Sequence, residues 1–273
     1  IMGDLDQNKI NSKKSLFSIF QKSKVSIYKW ENYFDIYESY FKKFINKKPR
    51  FLEIGIQYGG SLRMWEEYFI NAKIFGIDIN PDCKKLEKEN IDIQIGSQND
   101  KNFLRQYSEY VQNLDIIIDD GGHTMEQQLN TFKELFPILN DGGIYIVEDI
   151  ESSYLNMYGG GYKRRGTFVE FSKNIIDFIN ANHSDFKTLK PNWYSKNIEF
   201  IHFYNNVVVI KKKNILEFPK QIRNRGELTI NVDKRSKVPK LKLFASTIIS
   251  LINKLLGYLR LKPLYIGSTS QRL

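Results

Sequence analysis

From Arg50 onward the chain alternates short apolar runs with longer stretches whose apolar residues recur every three or four positions. The runs Arg50–Ile54, Lys73–Ile77, Ile91–Ile95, Leu114–Asp119 and Gly143–Val147 are rich in β-branched residues, which suits strands buried on both faces. The stretches between them, Ser61–Phe69, Pro81–Lys88, Lys101–Tyr107 and Met125–Leu135, carry helical spacing. That rhythm predicts βαβ units and a parallel sheet with helices on both faces. It then changes: Ile198–Tyr204 and Val207–Lys212 flank Asn205-Asn206, a hairpin signal. The expected fold is α/β, a Rossmann-like seven-stranded sheet, mostly parallel and finished by a C-terminal antiparallel β-hairpin. Upstream, the aromatic residues from Ile27 to Phe44 fall at helical spacing and predict one or two helices leaning on the sheet. The pattern divides the chain into a helical extension (1–48), the α/β domain (49–213) and a tail (214–273).

Two of the apolar runs end abruptly in carboxylates: Ile116-Ile-Ile-Asp-Asp-Gly-Gly-His123 and Gly142-Gly-Ile-Tyr-Ile-Val-Glu-Asp149. In open α/β sheets the ligand sits beyond the carboxyl ends of the strands. Neighbouring strand ends would gather Asp120, Glu148 and Asp149 around one point, with His123 three residues beyond Asp120. Three hard oxygen donors favour Mg²⁺ or Ca²⁺ over zinc, and an imidazole beside them is a candidate base. Asp120 and Asp149 could instead cap helices, and Asp119 stands evenly between a structural and a cofactor-adjacent role.

The first strand runs into Phe51-Leu-Glu-Ile-Gly-Ile-Gln-Tyr-Gly-Gly-Ser61. Glycines at such a turn let a ligand approach the backbone, and the next helix offers a positive N-terminus. The dinucleotide fingerprint G-x-G-x-x-G is absent, because Gln57 stands at its second glycine. What stands here is Glu53-x-Gly55-x-x-x-Gly59. Asp78 closes the second strand and can accept hydrogen bonds from both hydroxyls of a ribose. Gly96-Ser-Gln-Asn-Asp100 is a polar cluster suited to an adenine edge. Tyr154–Gly166, with three consecutive glycines and Lys163-Arg164-Arg165, reads as a mobile loop beside the site.

These residues resemble the class I S-adenosylmethionine-dependent methyltransferases over roughly Arg50 to Lys212. Within that class, Ile118-Asp-Asp-Gly-Gly-His123 followed by Gly-Gly-Ile-Tyr-Ile-Val-Glu-Asp149 resembles the metal-dependent sugar O-methyltransferases of macrolide biosynthesis, the mycinamicin and macrocin type. The resemblance implies S-adenosylmethionine held by Glu53, Gly55, Ser61, Asp78, Ser97, Gln98 and Asp119. It further implies Mg²⁺ on Asp120, Glu148 and Asp149, with His123 as the catalytic base. Gly122 departs from a serine common in the macrolide enzymes, and the N-terminal region is much shorter than the auxiliary domain of the mycinamicin enzyme. The implied reaction is Mg²⁺-dependent methylation of a sugar hydroxyl. The Asn-, Lys- and Ile-rich composition suggests an AT-rich bacterial genome. It shifts the expected acceptor from an antibiotic glycoside to a capsule or lipopolysaccharide sugar, either nucleotide-linked or part of a glycan.

With 273 residues, 41% hydrophobic and 14% aromatic, the chain can bury a substantial core. Cys83 is the single cysteine, which excludes an intrachain disulfide and gives no sign of an oxidising compartment. No apolar run is long enough for a clear transmembrane helix and the first residues do not read as a secretory signal, so a cytoplasmic location is expected. The net charge of +10 is uneven: residues 211–273 carry 15 Lys and Arg against 3 Asp and Glu, leaving the rest near neutral. The basic tail points to an anionic membrane surface or another polyanion. As a helix, Leu241–Leu261 has a narrow polar stripe and a broad apolar face, which suits an interfacial helix or a subunit contact; a homo-oligomer stays open. A nucleic-acid methyltransferase is the first rival. The body is not basic and the carboxylates would repel phosphate, so no nucleic-acid partner is expected. A non-catalytic, membrane-docked scaffold is the second rival.

Overall fold

The computed structural model describes residues 15–184, 188–222, 224 and 240–259. Two helices come first, α1 (Leu16–Lys22) and α2 (Tyr33–Phe41). The alternating part follows as β1 (Arg50–Ile54), α3 (Gly60–Tyr68), β2 (Lys73–Asp78), β3 (Ile91–Ile95), α4 (Lys101–Tyr110), β4 (Leu114–Asp119), α5 (Met125–Leu135) and β5 (Leu139–Val147). Then come α6 (Phe168–Asn180), α7 (Trp193–Asn197), β6 (Ile198–Tyr204), β7 (Val207–Lys212) and α8 (Lys240–Tyr258). The seven strands run in the order β3-β2-β1-β4-β5-β7-β6. β1 pairs in parallel with both β2 and β4, so the strand order reverses there. β7 lies antiparallel between β5 and β6, as the hairpin signal predicted.

Each face of the sheet has its own apolar layer. On one, Phe51, Ile116, Ile118 and Ile146 meet Tyr37 and Phe41 of α2 and Trp65 of α3. On the other, Leu52, Ile117 and Tyr145 meet Leu104 of α4, Phe132 of α5 and Phe168 of α6. Trp65, Tyr37, Phe132 and Phe168 are fully buried, and burial of that many large rings is the main stabilising contribution of the fold. The N-terminal helices α1 and α2 therefore share the sheet's core. Residues 1–219 form one compact unit and 220–273 a second, in which α8 is the described element. Just past β7 the Asn214 amide donates to Asp141 Oδ1 and the Ile215 amide to the Lys196 carbonyl.

Several elements differ from the sequence pattern. Helix α2 begins at Tyr33, and Ser23–Trp30 forms a non-helical arm in place of the expected first turns. The expected helix Pro81–Lys88 is a 3₁₀ turn over Pro81–Leu86, started by an Asn80 side chain that accepts from the Asp82 amide. Strand β5 begins at Leu139, four residues earlier than expected. Helices α6 and α7 were not anticipated; α6 buries Phe168, Val169 and Ile175 and is capped by Thr167. Tyr154–Gly166 is built from hydrogen-bonded turns; a Cβ on Gly160 would lie 2.3 Å from the Ser152 carbonyl oxygen, so only glycine fits that approach. The basic cluster Lys234, Arg235 and Lys237 and the chain beyond Leu259 lie outside the described residues. Among the described residues no helix is long and apolar enough to cross a membrane.

Candidate active site

Pairing of β1 with β4 and of β4 with β5 aligns their carboxyl ends. The Asp120 amide donates to the Ile54 carbonyl, and the Glu148 amide to the Asp119 carbonyl. These bonds fix the two strand ends that carry the carboxylates side by side. Past β1 the chain turns at Gly55, with φ +90°, where a Cβ would lie 2.0 Å from the Asp120 carbonyl oxygen. The close approach of the two chains there requires glycine. Asp78, at the end of β2, holds this turn: one oxygen accepts from the Ile56 and Gln57 amides at 2.7 and 3.0 Å, the other from the Asn80 amide at 2.8 Å.

A cavity of 490 Å³ opens beyond the turn, lined by Gly55, Ser61, Asp78, Ser97, Gln98 and His123 among others. Gln98 also braces its floor. Its Oε1 accepts from the Gly122 amide at 2.8 Å, while its Nε2 donates to Asp119 Oδ1 at 2.7 Å and to Thr131 at 3.0 Å. Two residues expected on the cofactor lie beneath the cavity. Glu53 is fully buried and accepts from Ser61 Oγ at 2.7 Å and from Trp65 Nε1 at 3.2 Å. Asp119 is buried on Gln98. Burial pushes both carboxyls up to about 7, in Glu53 against the attraction of Lys29.

Along the same cavity, one atom each of Asp120, His123 and Asp149 lies within 4.8 Å of the others. His123 Nε2 is 3.8 Å from Asp120 Oδ1 and 3.7 Å from Asp149 Oδ2. These spacings exceed a normal hydrogen bond, so the three atoms face a shared space. Both His123 and Asp149 have positive φ, +56° and +51°. That conformation is sparsely populated for residues with a Cβ, and local hydrogen bonds must hold it. Asp149 Oδ1 accepts from Tyr33 Oη at 2.7 Å, Trp30 Nε1 at 3.1 Å and Asn206 Nδ2 at 3.2 Å, which turns Oδ2 toward His123.

Glu148, expected as the third ligand, does not join them. Its Oε1 accepts from Tyr37 Oη and its Oε2 from Lys29 Nζ at 2.9 Å. The same ammonium lies 2.5 Å from Asp120 Oδ2 and 3.8 Å from Glu53 Oε1. Burial alone would lower the Lys29 pKa, but attraction to Asp120, Glu148 and Glu53 outweighs it and raises the value. Burial and the nearby Asp120 push Glu148 up, opposed by Lys29 and Tyr37. Burial, with Asp149 next to Tyr33 and Glu148 next to Tyr37, raises both phenols, which stay protonated as donors. Sequence reading missed Lys29, Trp30, Tyr33, Tyr37 and Asn206. Their one signal was a lysine set between Tyr28 and Trp30 in an aromatic stretch.

Residues 52–150 match the family described as a methyltransferase domain. The chain is 32% identical over 194 residues to the 8-demethyl-8-(2-methoxy-alpha-L-rhamnosyl)-tetracenomycin-C 3'-O-methyltransferase of Streptomyces olivaceus, covering 67% of this chain and 50% of that protein. It is 33% identical over 189 residues to the mycinamicin VI 2''-O-methyltransferase of Micromonospora griseorubida, covering 64% and 47%. Among solved structures, the MycE methyltransferase of the mycinamycin biosynthetic pathway, in complex with Mg, SAH and mycinamycin VI, superimposes with a TM-score of 0.67 at 30% identity. That match covers 78% of this chain and 57% of MycE. The chain thus spans about half the length of the curated relatives it matches.

Proposed function

We infer that this chain, which carries a class I S-adenosylmethionine-dependent methyltransferase domain similar to those of sugar O-methyltransferases, moves a methyl group from S-adenosylmethionine to a sugar hydroxyl with the help of Mg²⁺. The observation that carries the reading is the convergence of Asp120, His123 and Asp149 beside the cavity that starts at the Gly55 turn. The donor set fits the ion: Mg²⁺ is commonly held by one or two carboxylates and keeps several waters, and Asp120 Oδ1 and Asp149 Oδ2 supply two hard oxygens. When bound, the cation supplies positive charge against a developing alkoxide.

The chain's own groups do the rest. Gly55, Ser61, Asp78, Ser97 and Gln98 line the cavity for the methyl donor, with Asp78 facing the ribose hydroxyls. Glu53 and Asp119 support that wall from beneath. His123 takes the proton from the acceptor hydroxyl, a task imidazole performs more often than any other side chain. Attack on a sulfonium methyl needs in-line alignment, so fixed placement of both substrates supplies much of the rate. The arm residues Tyr28 and Trp30 border the adjoining cavity of 240 Å³ with Asp120 and Asp149, where the acceptor would enter.

The two relatives carry antibiotic-glycoside names. A capsule or lipopolysaccharide sugar, free or nucleotide-linked, is supported for this chain by its composition. Labelled methyl donor supplied with nucleotide-sugars, capsule oligosaccharides and antibiotic glycosides tests both levels. Label on a sugar that disappears with a chelator and returns with Mg²⁺ is expected. No label on any sugar, or full activity after rigorous metal removal, overturns the reading. The charge of residues 211–273 supports docking on an anionic membrane, to which each basic residue near the surface contributes about 1 kcal/mol. Truncation after Pro219 should release the protein from anionic liposomes and leave methylation of a soluble acceptor intact. Equal retention of the truncated chain on those liposomes, or its loss of an oligomer, overturns the membrane role.

A further inference from the structure

The sheet ends in two edge strands, β3 and β6, and the chain treats them differently. β3 is closed by the residues just before it. Lys84 Nζ donates to the Ile93 carbonyl at 2.6 Å, the Ile93 amide donates to Glu87 Oε1 at 3.0 Å, and Ile91 exchanges backbone bonds with Lys88. Charged side chains on a short strand blunt an edge against pairing with another chain. β6 is seven residues long and carries no lysine, arginine or proline. Its register puts Tyr204 opposite Val207 across the two-residue turn. Tyr204 and His202 therefore bond toward β7, while Ile201 and Phe203 turn their amides and carbonyls outward. Among the described residues nothing is bonded to that outward row.

Both flanks of this edge are apolar or aromatic. On the face shared with α2, Phe200 and His202 stack with ring centres 4.1 Å apart, and Tyr40 Oη lies 2.7 Å from His202 Nδ1 and 2.6 Å from Tyr204 Oη. On the opposite face Ile201 packs on the second apolar layer and Phe203 is 41% exposed. Charge is divided along the same edge. Helix α2 runs beside the hairpin in the opposite sense to β6: Asn32 Nδ2 donates to the Asn205 carbonyl at the hairpin tip, and Lys43 stands at the far end with Lys47 and Lys211. The tip end presents Glu31 and Asp35, both exposed. The far end presents Lys43, Lys47, Lys211 and Lys213, with Glu199 pairing the last two.

We propose that β6 is an interface between two copies of this chain, each β6 pairing antiparallel with the other about a two-fold axis at His202. A contact of this symmetry must complement itself, and this edge does. The outward-facing Ile201 meets Phe203 of the second copy, and Phe200 meets Tyr204 of the second copy, cross-strand pairs of a kind that stabilises sheets. The acidic tip end of each copy lies against the basic far end of the other. A second copy fits this edge because the charge order reverses along it, and an antiparallel copy reverses it again. The two sheets then run on as one, and the long apolar edge is covered.

Sedimentation equilibrium of the full chain tests this. Wild type should sediment as a dimer or a multiple of one. Phe203→Lys places a charge on a half-exposed residue of the edge and should weaken association by about tenfold or more, because the interface would bury that charge without a partner. His202→Cys gives a second measurement. Facing residues of a non-hydrogen-bonded antiparallel pair have Cα atoms ~4.5 Å apart, within disulfide range, and the native Cys83 is buried. Mild oxidation should convert most of that variant to a covalent dimer. A monomeric wild type overturns the proposal, as does an oligomer that a folded Phe203→Lys leaves intact, including one lost only on truncation after Pro219. If Phe203→Lys does not fold, His202→Cys decides: a covalent dimer supports the pairing, and its absence after oxidation overturns it.

Discussion

The two sides of the active site obey one rule, an acid just past a strand end, and stabilise it in opposite ways. On the side proposed for the methyl donor, Asp78 is half-exposed and held by three backbone amides of the turns around it. On the side proposed for the acceptor, Glu148 is buried and Asp120 is half-buried, and their partner is an ammonium from an arm far away in sequence. Backbone amides come with the turn and lose no side-chain freedom on binding an acid. A buried ion pair must recover a large desolvation cost and works only if a second element delivers its charge with good geometry. The donor side is therefore a local structure, and the acceptor side is a tertiary one. Substitutions on the first should act through affinity, and on the second through rate and metal.

The sharpest test of that division is His123→Ala. Loss of a general base typically lowers turnover by about 10²–10⁴-fold. Calorimetry should show S-adenosylmethionine affinity close to wild type, because His123 edges the larger cavity while the groups proposed to hold the donor, Asp78 and Gln98, are untouched. A parallel loss of affinity would mean the sides are not separable. Gly55→Ala should break both together, since Gly55 is where they touch. The positive φ and the 2.0 Å contact with the Asp120 carbonyl oxygen leave no room for a methyl. Strain and overpacking together should cost about 2–5 kcal/mol in stability or donor binding. A wild-type melting curve with wild-type affinity would show that the turn can relax and that the contact is not a constraint.

The same contrast explains what could be read from the sequence. The strands β1 to β4, both strands of the hairpin and the carboxylate-ended runs are local patterns, and they were visible as such. So was the glycine turn with Asp78, whose partners lie about 20 residues away within one βαβ unit. The burial of Glu53 on Ser61 and Trp65 was not legible, because a strand-end acid looks the same whether it points to a cavity or to a buried lysine. Lys29 was not legible: nothing in Tyr28-Lys29-Trp30 says that the chain leaves helical spacing there to reach across the sheet. Helix α6 was missed for a related reason. The loop before it is rich in glycine and charge, and its apolar face is recognisable only beside Phe132.

Asp78→Ala probes the donor side with a smaller effect. It removes the acceptors proposed for the ribose hydroxyls and frees the Ile56 and Gln57 amides, so donor binding should weaken by about 1–3 kcal/mol. Turnover at saturating donor should stay close to wild type. A large fall in turnover with unchanged affinity would place Asp78 on the chemical side and reverse the comparison.

The finest test lies among the donors to Asp149, where both kinds of stabilisation meet. Tyr33 is buried and donates at 2.7 Å; its oxygen also accepts from the Asp149 amide, so it fixes both the side chain and the left-handed backbone. Trp30 is exposed and donates at 3.1 Å to the same oxygen, with Asn206 as a third donor. A buried bond that is removed leaves groups unpaired, whereas an exposed one is replaced by water. Tyr33→Phe should therefore weaken Mn²⁺ binding more than Trp30→Phe, by about 1 kcal/mol or roughly fivefold. Trp30→Phe keeps an aromatic wall on the acceptor cavity and loses a bond that water can replace, so its Mn²⁺ affinity should stay within about twofold of wild type. If the two variants weaken Mn²⁺ equally, burial does not set the strength of these contacts. The acceptor side is then held by the number of donors on Asp149, not by the buried ones.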